Sequence, residues 1–159
     1  MKRAFVPAAV VAVGVLAFAV VNATAKDKPK NKGADGGGTI HVIEHATTDA
    51  VTNGSGDSAG NILTFANDVF DSADKAKVGS DQGYCVRIVV GKTWECNWTT
   101  ILPDGQITVE GPFSDTGNTV LAITGGTGSY RNARGFMELV YHDVAGTKFD
   151  FVFHLHGEG

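Results

Sequence analysis

The sequence Thr147-Lys-Phe-Asp-Phe-Val-Phe-His-Leu-His156 alternates apolar and polar side chains along its whole length. The large apolar side chains that share one phase are Phe149, Phe151, Phe153 and Leu155. Most of the charged and histidine side chains occupy the other phase. A period of two residues is typical of a β-strand with one buried face. We therefore predict that the phenylalanines form a core or the wall of a cavity.

The same alternation continues back to Thr39, and glycine-, proline- and aspartate-containing turns interrupt it at short intervals. We predict eight strands, at about residues 39–47, 61–67, 82–90, 93–101, 106–113, 118–124, 134–142 and 147–156. No stretch keeps a helical period over three turns. The predicted fold class is all-β, a single eight-stranded antiparallel barrel, because closure removes the unpaired edges of the sheet.

The N-terminal region differs in composition from the rest of the chain. Residues 1–25 begin with two basic residues, continue through an apolar run and end in Ala23-Thr-Ala25, a pattern typical of a secretory signal peptide cleaved after Ala25. The alternative is a membrane anchor, for which the apolar run is short. Residues 26–38 alternate lysine with polar residues and end in glycines, which predicts a flexible linker. We expect a secreted or extracytoplasmic domain over residues 39–159, without stable membrane insertion after cleavage.

Length and charge limit the function further. The chain has 159 residues, with 13 basic and 17 acidic side chains and a formal net charge of −4. That length suits one domain with one core. An acidic chain offers no basic surface to a phosphate backbone, so we expect no nucleic-acid partner.

Two glycine motifs and one histidine pair resemble phosphate, dinucleotide and metal sites, but each lacks a residue that such a site needs. Gly91-Lys-Thr93 lacks the earlier glycine of a phosphate-binding loop, and Gly125-Gly-Thr-Gly128 lacks the third glycine of a dinucleotide site. His154 and His156 share a strand face, but no third ligand accompanies them. The sequence therefore predicts neither a metal site nor a cofactor site.

Cys85 and Cys96 flank the predicted Gly91-Lys92 turn. A two-residue turn places both on one face of the hairpin but out of direct register, whereas a three-residue turn places them on opposite faces. The predicted export favours a Cys85–Cys96 disulfide. The alternative is a free thiol that lines a cavity.

One acidic residue lies in phase with apolar neighbours. Glu44 shares a strand face with Ile40 and Val42, and Asn67 shares one with Phe65. A carboxyl group in such surroundings is held partly protonated or hydrogen-bonded, and either state suits acid–base or electrostatic chemistry. The alternative is an outer strand on which Glu44 faces water.

Several segments resemble the allene oxide cyclase and dirigent protein barrel superfamily. These segments are Val109–Phe113 (VEGPF), Leu121–Gly128 (LAITGGTG) and Ala133–Gly135 (ARG), with shorter similarities at Val42–Glu44, Phe65–Asn67 and Gly83–Val86. The resemblance implies an eight-stranded barrel with an apolar cavity, a homodimer or homotrimer, and no metal or cofactor. It also implies that Glu44 corresponds to a cavity glutamate that steers epoxide opening and ring closure. By the same positional similarity, Asn67 corresponds to an assisting asparagine and Cys85 to a cavity cysteine.

Two hypotheses of function follow from the residues and the resemblance together. In the first, the protein is a cyclase or isomerase in which Glu44 bears charge, Asn67 orients it, and Phe65 with Phe149, Phe151 and Phe153 shapes an apolar substrate. In the second, it is a dirigent-like or lipocalin-like binder that holds an apolar ligand without transforming it. A structural role with no small ligand is the third interpretation.

Overall fold

The computed structural model describes residues 37–52 and 56–156. The strands are β1 (Gly38–His45), β2 (Ala50–Thr52), β3 (Ile62–Asp71), β4 (Lys77–Val89), β5 (Thr93–Leu102), β6 (Gly105–Ser114), β7 (Thr119–Gly126), β8 (Gly135–Tyr141) and β9 (Lys148–Leu155). One turn of 3₁₀ helix, Gly128–Tyr130, joins β7 to β8. The predicted signal peptide and most of the predicted linker lie outside the described residues.

Eight of these strands form a closed barrel. The sheet order is β1-β9-β8-β7-β6-β5-β4-β3, each pair is antiparallel, and β1 also pairs with β3. That last pairing joins the two ends of the sheet, so no edge of the barrel stays unpaired. The predicted all-β, eight-stranded antiparallel barrel is confirmed. Within the described residues, no helix is long and apolar enough to cross a membrane.

Strand β2 is a short continuation of β1 that sequence alternation does not reveal. Both strands pair with the same edge of β3, since Glu44 lies opposite Val69 and Ala50 lies opposite Thr64. Residues 46–49 bulge between them, because one extra residue separates the two registers. No strand was predicted here, because β2 has only three residues, too few to show an alternation.

The β3–β4 hairpin extends beyond the predicted strands. Its turn comprises residues 72–76 and includes Asp74, whose φ is +54°. The Asp74 carboxylate lies 2.6 Å from His45 Nε2 and 2.5 Å from Lys148 Nζ. The turn therefore folds over the outer face of β1. On the same outer face, Ile43 is buried although it points away from the barrel interior.

Apolar side chains from all eight barrel strands fill the interior. The innermost side chains are Val69, Ile107, Val109, Leu121, Met137, Phe151 and Phe153. The inward phase of Phe149, Phe151 and Phe153 on β9 agrees with the predicted core face.

A disulfide joins β4 to β5. Cys85 and Cys96 are directly opposite in the strand register, with 4.0 Å between their Cα atoms, and their sulfurs are bonded. The loop between the strands has three residues, 90–92, which alone would place the cysteines on opposite faces. A bulge between Arg87 and Val89 shifts the register by one residue and restores direct pairing. The disulfide is thus present and the free-thiol alternative is wrong.

Removing this disulfide should lower stability measurably. A cross-link that closes a loop of about this length contributes about 3 kcal/mol by restricting the unfolded chain. We expect the double variant Cys85→Ser/Cys96→Ser to lose about 2–3 kcal/mol in urea unfolding. An unchanged free energy of unfolding in the double variant would show that the bond adds nothing to the barrel.

Gly83 allows a close approach between β4 and β5. It lies opposite Trp98, and a Cβ atom at this position would overlap the Trp98 Cβ and lie 2.7 Å from its Cα. We expect Gly83→Ala to cost about 2 kcal/mol or more, because the two backbones must separate. The matched control is Gly125→Ala, where an added Cβ meets nothing within 4 Å. Equal thermal stability of the two variants would contradict the prediction.

Candidate functional site

A pocket opens at the end of the barrel where the loop of residues 90–92 joins β4 to β5. Its empty volume is about 410 Å³, which includes the part open to solvent. The lining residues are Glu44, Asp49, Leu63, Phe65, Cys85, Cys96, Trp98, Phe113, Leu139, Phe149 and Phe151. Most of this wall is aromatic or aliphatic, and the disulfide forms part of it. The pocket is therefore an apolar space with two carboxyl groups. Binding of an apolar ligand here stays a prediction.

The structure brings together most of the residues that the sequence predicted as a site. Glu44, Phe65, Phe149 and Phe151 line the pocket, together with the Cys85–Cys96 disulfide. Asn67 is buried next to Glu44 without lining the pocket. Phe153 lies deeper in the core and does not reach the lining. A role for Phe153 in substrate contact therefore has no support from the geometry, because the next inward side chain, Phe151, separates it from the pocket.

The aromatic walls contact one another and fix the shape of the pocket. Trp98 packs edge-on against Phe65 and at a tilt against Phe151, with ring centroids 6.1 Å and 5.4 Å apart. On the other side, Phe149 meets Phe113 at 5.7 Å. Edge-to-face pairs of this kind hold rings in defined orientations. Trp98 and Phe113 were not predicted from the sequence, although both follow the inward phase of their strands.

Glu44 lies at the base of the pocket and is only 5% exposed. Its Oε1 accepts a hydrogen bond of 2.8 Å from Asn67 Nδ2. The same amide nitrogen donates to Asp49 Oδ1 at 3.0 Å. The possibility that Glu44 faces water is thus excluded. Asn67 joins the two carboxyl groups of the pocket through one side-chain amide.

The orientation of the Asn67 amide follows from its other partners. Its Oδ1 accepts hydrogen bonds from the backbone N–H groups of Thr47 and Thr48 and from the Thr48 hydroxyl, at 2.9 to 3.0 Å. Backbone N–H groups can only donate, so the oxygen must face them and the NH₂ group must face Glu44. The bulge between β1 and β2 therefore serves to orient the asparagine.

A second buried acid, Asp81, lies next to Glu44 and does not line the pocket. It is 1% exposed on β4, and its Oδ1 accepts a 3.2 Å hydrogen bond from the Asn67 backbone N–H. Its Oδ2 is buried and faces no donor among the described residues. A carboxyl oxygen in that position is satisfied when it carries a proton, which it donates to the neighbouring Glu44 carboxylate.

The protonation of this pair follows from burial. Loss of hydration raises the pKa of Glu44 to about 7, against the lowering effect of hydrogen bonds from Asn67 and Asp81. Loss of hydration, together with the negative charge of Glu44, raises the pKa of Asp81 to about 9. Two carboxyl groups in contact titrate as a pair. Between these two values, the pair holds one proton and Glu44 carries the charge.

Sequence reasoning missed Asp81 because the predicted strand began at Gln82. The signal was nevertheless available, since Asp81, Gly83 and Cys85 share one phase of the alternation. Extending β4 backward by one residue places Asp81 on the same face as the predicted cavity cysteine. Only the cross-strand pairing of Asp81 with Asn67 shows that it meets Glu44.

A guanidinium group at the rim of the pocket is fully neutralised. Arg87 lies 2.6 Å from Asp57 and 2.7 Å from Asp115, and it stacks 3.9 Å above the Trp94 ring. Trp94 Nε1 also donates to Asp115 at 3.0 Å. These contacts tie the segment before β3 and the β6–β7 loop to the β4–β5 hairpin. The two aspartates balance the positive charge of Arg87.

Residues 39–150 match the allene oxide cyclase barrel like domain. The chain belongs to this family. The match runs from Thr39 in β1 to Asp150 in β9, so it includes part of every barrel strand, and Phe151 of the pocket wall lies just beyond it. The resemblance found in the short segments of sequence is confirmed.

Several solved structures share the fold. A pyocyanin demethylase is 24% identical, with a TM-score of 0.60, and the match covers 72% of this chain and 99% of that protein. The pterocarpan synthase dirigent protein GePTS1 is 16% identical, with a TM-score of 0.64 and coverage of 86% and 99%. AbnU, an exo-specific intermolecular Diels-Alderase, is 18% identical, with a TM-score of 0.62 and coverage of 76% and 98%. At these identities the likeness establishes the barrel fold.

Proposed function

We propose that this protein is an exported, cofactor-independent cyclase- or isomerase-like barrel. It binds an apolar small molecule in the pocket and steers the stereochemistry of its cyclisation or coupling. The observation that carries the proposal is Glu44, a buried carboxylate at the base of an aromatic pocket with a protonated acid behind it. A solely structural barrel has no need to bury two acids in contact, since burial of each costs free energy.

The pocket supplies orientation first. Rings that are fixed against one another, such as Trp98 against Phe65, hold a flexible apolar substrate in one conformer. Orientation of this kind lowers the entropic part of the barrier to ring closure. The small volume and apolar wall also displace water from the substrate, which strengthens electrostatic interactions inside the pocket.

Glu44 supplies charge and proton transfer. Its pKa of about 7 makes both the acid and the carboxylate available near neutral pH, which suits a general acid or base. As a carboxylate it stabilises positive charge that develops on the substrate. Asn67 keeps the carboxylate aimed at the pocket, and Asp81 is a positioning residue that donates a hydrogen bond from behind.

The names of the proteins with similar folds support a small-molecule substrate. They include a demethylase, dirigent proteins and Diels-Alderases. Each of these names describes chemistry or coupling of a small organic molecule. The name Diels-Alderase describes a ring-forming coupling of two molecules, and we extend such an activity to this chain as part of the proposal.

A ligand search tests the proposal. We expect native mass spectrometry of the protein, purified from its own host, to show an apolar small molecule that leaves on denaturation. In a thermal-shift panel of unsaturated epoxides, polyenes and phenols, at least one compound should raise the melting temperature and be converted to a cyclised or coupled product. Binding without conversion supports the alternative, a dirigent-like or lipocalin-like binder. An empty barrel and no thermal shift would overturn both.

We also propose that the protein is exported from the cytoplasm. The Cys85–Cys96 disulfide is typical of an oxidising compartment and supports the predicted signal peptide. We expect the mature protein to begin at Lys26 and to occur outside the cytoplasm, which N-terminal sequencing of each cell fraction measures. A cytoplasmic protein that retains Met1 would contradict export. The expected homodimer or homotrimer stays a prediction for light scattering.

A further inference from the structure

A second cavity opens at the opposite end of the barrel from the pocket that contains Glu44, the Glu44 pocket. It lies between the start of β1, the end of β3, the β5–β6 turn and the 3₁₀ helix, and its empty volume is about 920 Å³, which includes the part open to solvent. No residue lines both cavities. Phe153 is fully buried between them, since it follows Phe151 of the first cavity and pairs with Ile40 of the second. The two cavities can therefore hold different molecules.

The glycine motif Gly125–Gly128 builds one side of the second cavity. A Cβ atom at Gly128 would overlap the carbonyl oxygen of Asp104, so glycine allows the 3₁₀ helix to approach the β5–β6 turn. The Ser129 N–H also donates to the Asp104 carbonyl oxygen at 2.8 Å. The motif thus fixes the Asp104 turn beside the helix that carries Tyr130, and the cavity is lined by both of these residues.

Tyr130 brings a polar group without a partner into this cavity. The residue is only 5% exposed, and its hydroxyl has no hydrogen-bond partner among the described residues. Loss of hydration, together with the negative charge of Asp104, raises the pKa of Tyr130. The hydroxyl therefore keeps its proton at neutral pH and can both donate and accept. Since a buried hydroxyl nearly always has a partner, a bound molecule would supply one here.

Carboxyl groups dominate the charge of the second cavity. Asp71 and Asp104 line it, and no lysine or arginine of the described ranges does. Hydrogen bonds from the backbone of the β3–β4 turn, chiefly from the Lys75 N–H, lower the pKa of Asp71, so this group is negative at neutral pH. The histidine of the lining, His41, is held by Asp150, with 2.7 Å between Nε2 and Oδ1. A positively charged group that enters thus meets carboxylates and no competing lysine or arginine.

The remaining wall of the second cavity is aliphatic. Its apolar side chains include Ile40, Val42, Val78 and Leu102. The lining contains no phenylalanine or tryptophan, in contrast to the Glu44 pocket. A wall of this kind packs against an alkyl chain, whose burial is favourable in proportion to its apolar area.

We propose that the second cavity binds a primary alkylammonium ion. Its charged head donates hydrogen bonds to the Asp104 carboxylate and the Tyr130 hydroxyl, and its alkyl chain packs against the aliphatic wall. The inference goes beyond the proposed function, because none of these residues belongs to the Glu44 pocket.

Three probes with the same six-carbon chain test the proposal: n-hexylammonium, the neutral 1-hexanol and the anion hexanoate. We expect titrations of ¹⁵N-labelled protein, followed by NMR at pH 7, to show about tenfold tighter binding of n-hexylammonium than of 1-hexanol. Hexanoate should bind most weakly. The amide signals of residues 39–42, 102 and 104 should move, whereas the indole N–H signal of Trp98, which lines the Glu44 pocket, should not.

Two variants and a control locate the head group. Asp104→Asn suits the same turn without the charge, and it should bring the affinity for n-hexylammonium to within about threefold of that for 1-hexanol. Tyr130→Phe removes only the hydroxyl and should weaken n-hexylammonium binding several-fold. Glu110→Gln, an exposed acid on β6, should leave every affinity unchanged. Asp104→Asn serves as an independent test if Tyr130→Phe fails to fold.

The outcomes separate this inference from the proposed function. Equal affinity for n-hexylammonium and 1-hexanol overturns the inference, and so does a failure of n-hexylammonium to bind. Movement of the Trp98 signal alone would place the ligand in the Glu44 pocket and would also overturn it. None of these results changes the expectations for the Glu44 pocket, which the ligand search tests separately.

Discussion

The variant Glu44→Gln should turn over the substrate about two to four orders of magnitude more slowly than the wild type. Glutamine has the size of glutamate and can still accept the hydrogen bond from Asn67 Nδ2, so the pocket keeps its shape. It can neither transfer a proton nor carry the negative charge that stabilises a positive centre on the substrate. The measurement is kcat for the substrate identified by the ligand search, with binding measured in parallel.

The control for this variant is Glu110→Gln, which makes the same chemical change on the outer surface of β6. It should keep wild-type turnover. Ligand binding by Glu44→Gln within about threefold of wild type shows that the variant is folded and that the loss concerns the chemical step. Turnover of Glu44→Gln within a factor of three of wild type would remove Glu44 from the mechanism.

The architecture could be predicted from the sequence because the barrel interior imposes a strict period of two. The last strand shows it clearly, since Phe149, Phe151 and Phe153 all point inward. The phase also put Glu44 and Asn67 on strand faces that carry apolar residues, but it left open whether Glu44 faces the interior or water, and the structure shows that both are buried. Alternation and the family resemblance together singled out the two residues that are hydrogen-bonded in the candidate site.

Features that depend on contacts between strands could not be predicted in the same way. The disulfide register needs a bulge near Ile88, and sequence does not reveal the position of a bulge. The β3–β4 turn was missed because polar residues such as Asp68 and Asp71 occupy the ends of those strands. Asp81 meets Glu44 only through the pairing of β3 with β4, which no local pattern encodes.

Stability should fall as pH rises from 5 to 9, because both buried carboxyl groups bind their protons more tightly in the folded protein than in the unfolded chain. Burial raises the pKa of Glu44 from 4.5 to about 7 and that of Asp81 from 3.8 to about 9. The folded protein therefore binds more protons than the unfolded chain between pH 4 and pH 9. The stabilisation that these two acids provide is complete below pH 4, and it is lost as the pH rises through 7 and then 9. We expect the free energy of unfolding to fall by about 3 kcal/mol or more between pH 5 and pH 9, measured by urea unfolding.

The variant Asp81→Asn should remove most of this slope. Asparagine can donate to the Glu44 carboxylate and accept from the Asn67 backbone N–H without binding a proton of its own. The matched control is Asp68→Asn, a half-exposed acid on β3 paired with Lys77, which should keep the wild-type slope. Other carboxyl groups have a lowered pKa, namely Asp71, Asp74 and Asp143. The stability that they contribute is lost only as the pH falls toward their pKa, which lies below the range from pH 5 to pH 9. A wild-type protein whose stability stays constant or increases from pH 5 to pH 9 would show that the two buried acids do not share a proton.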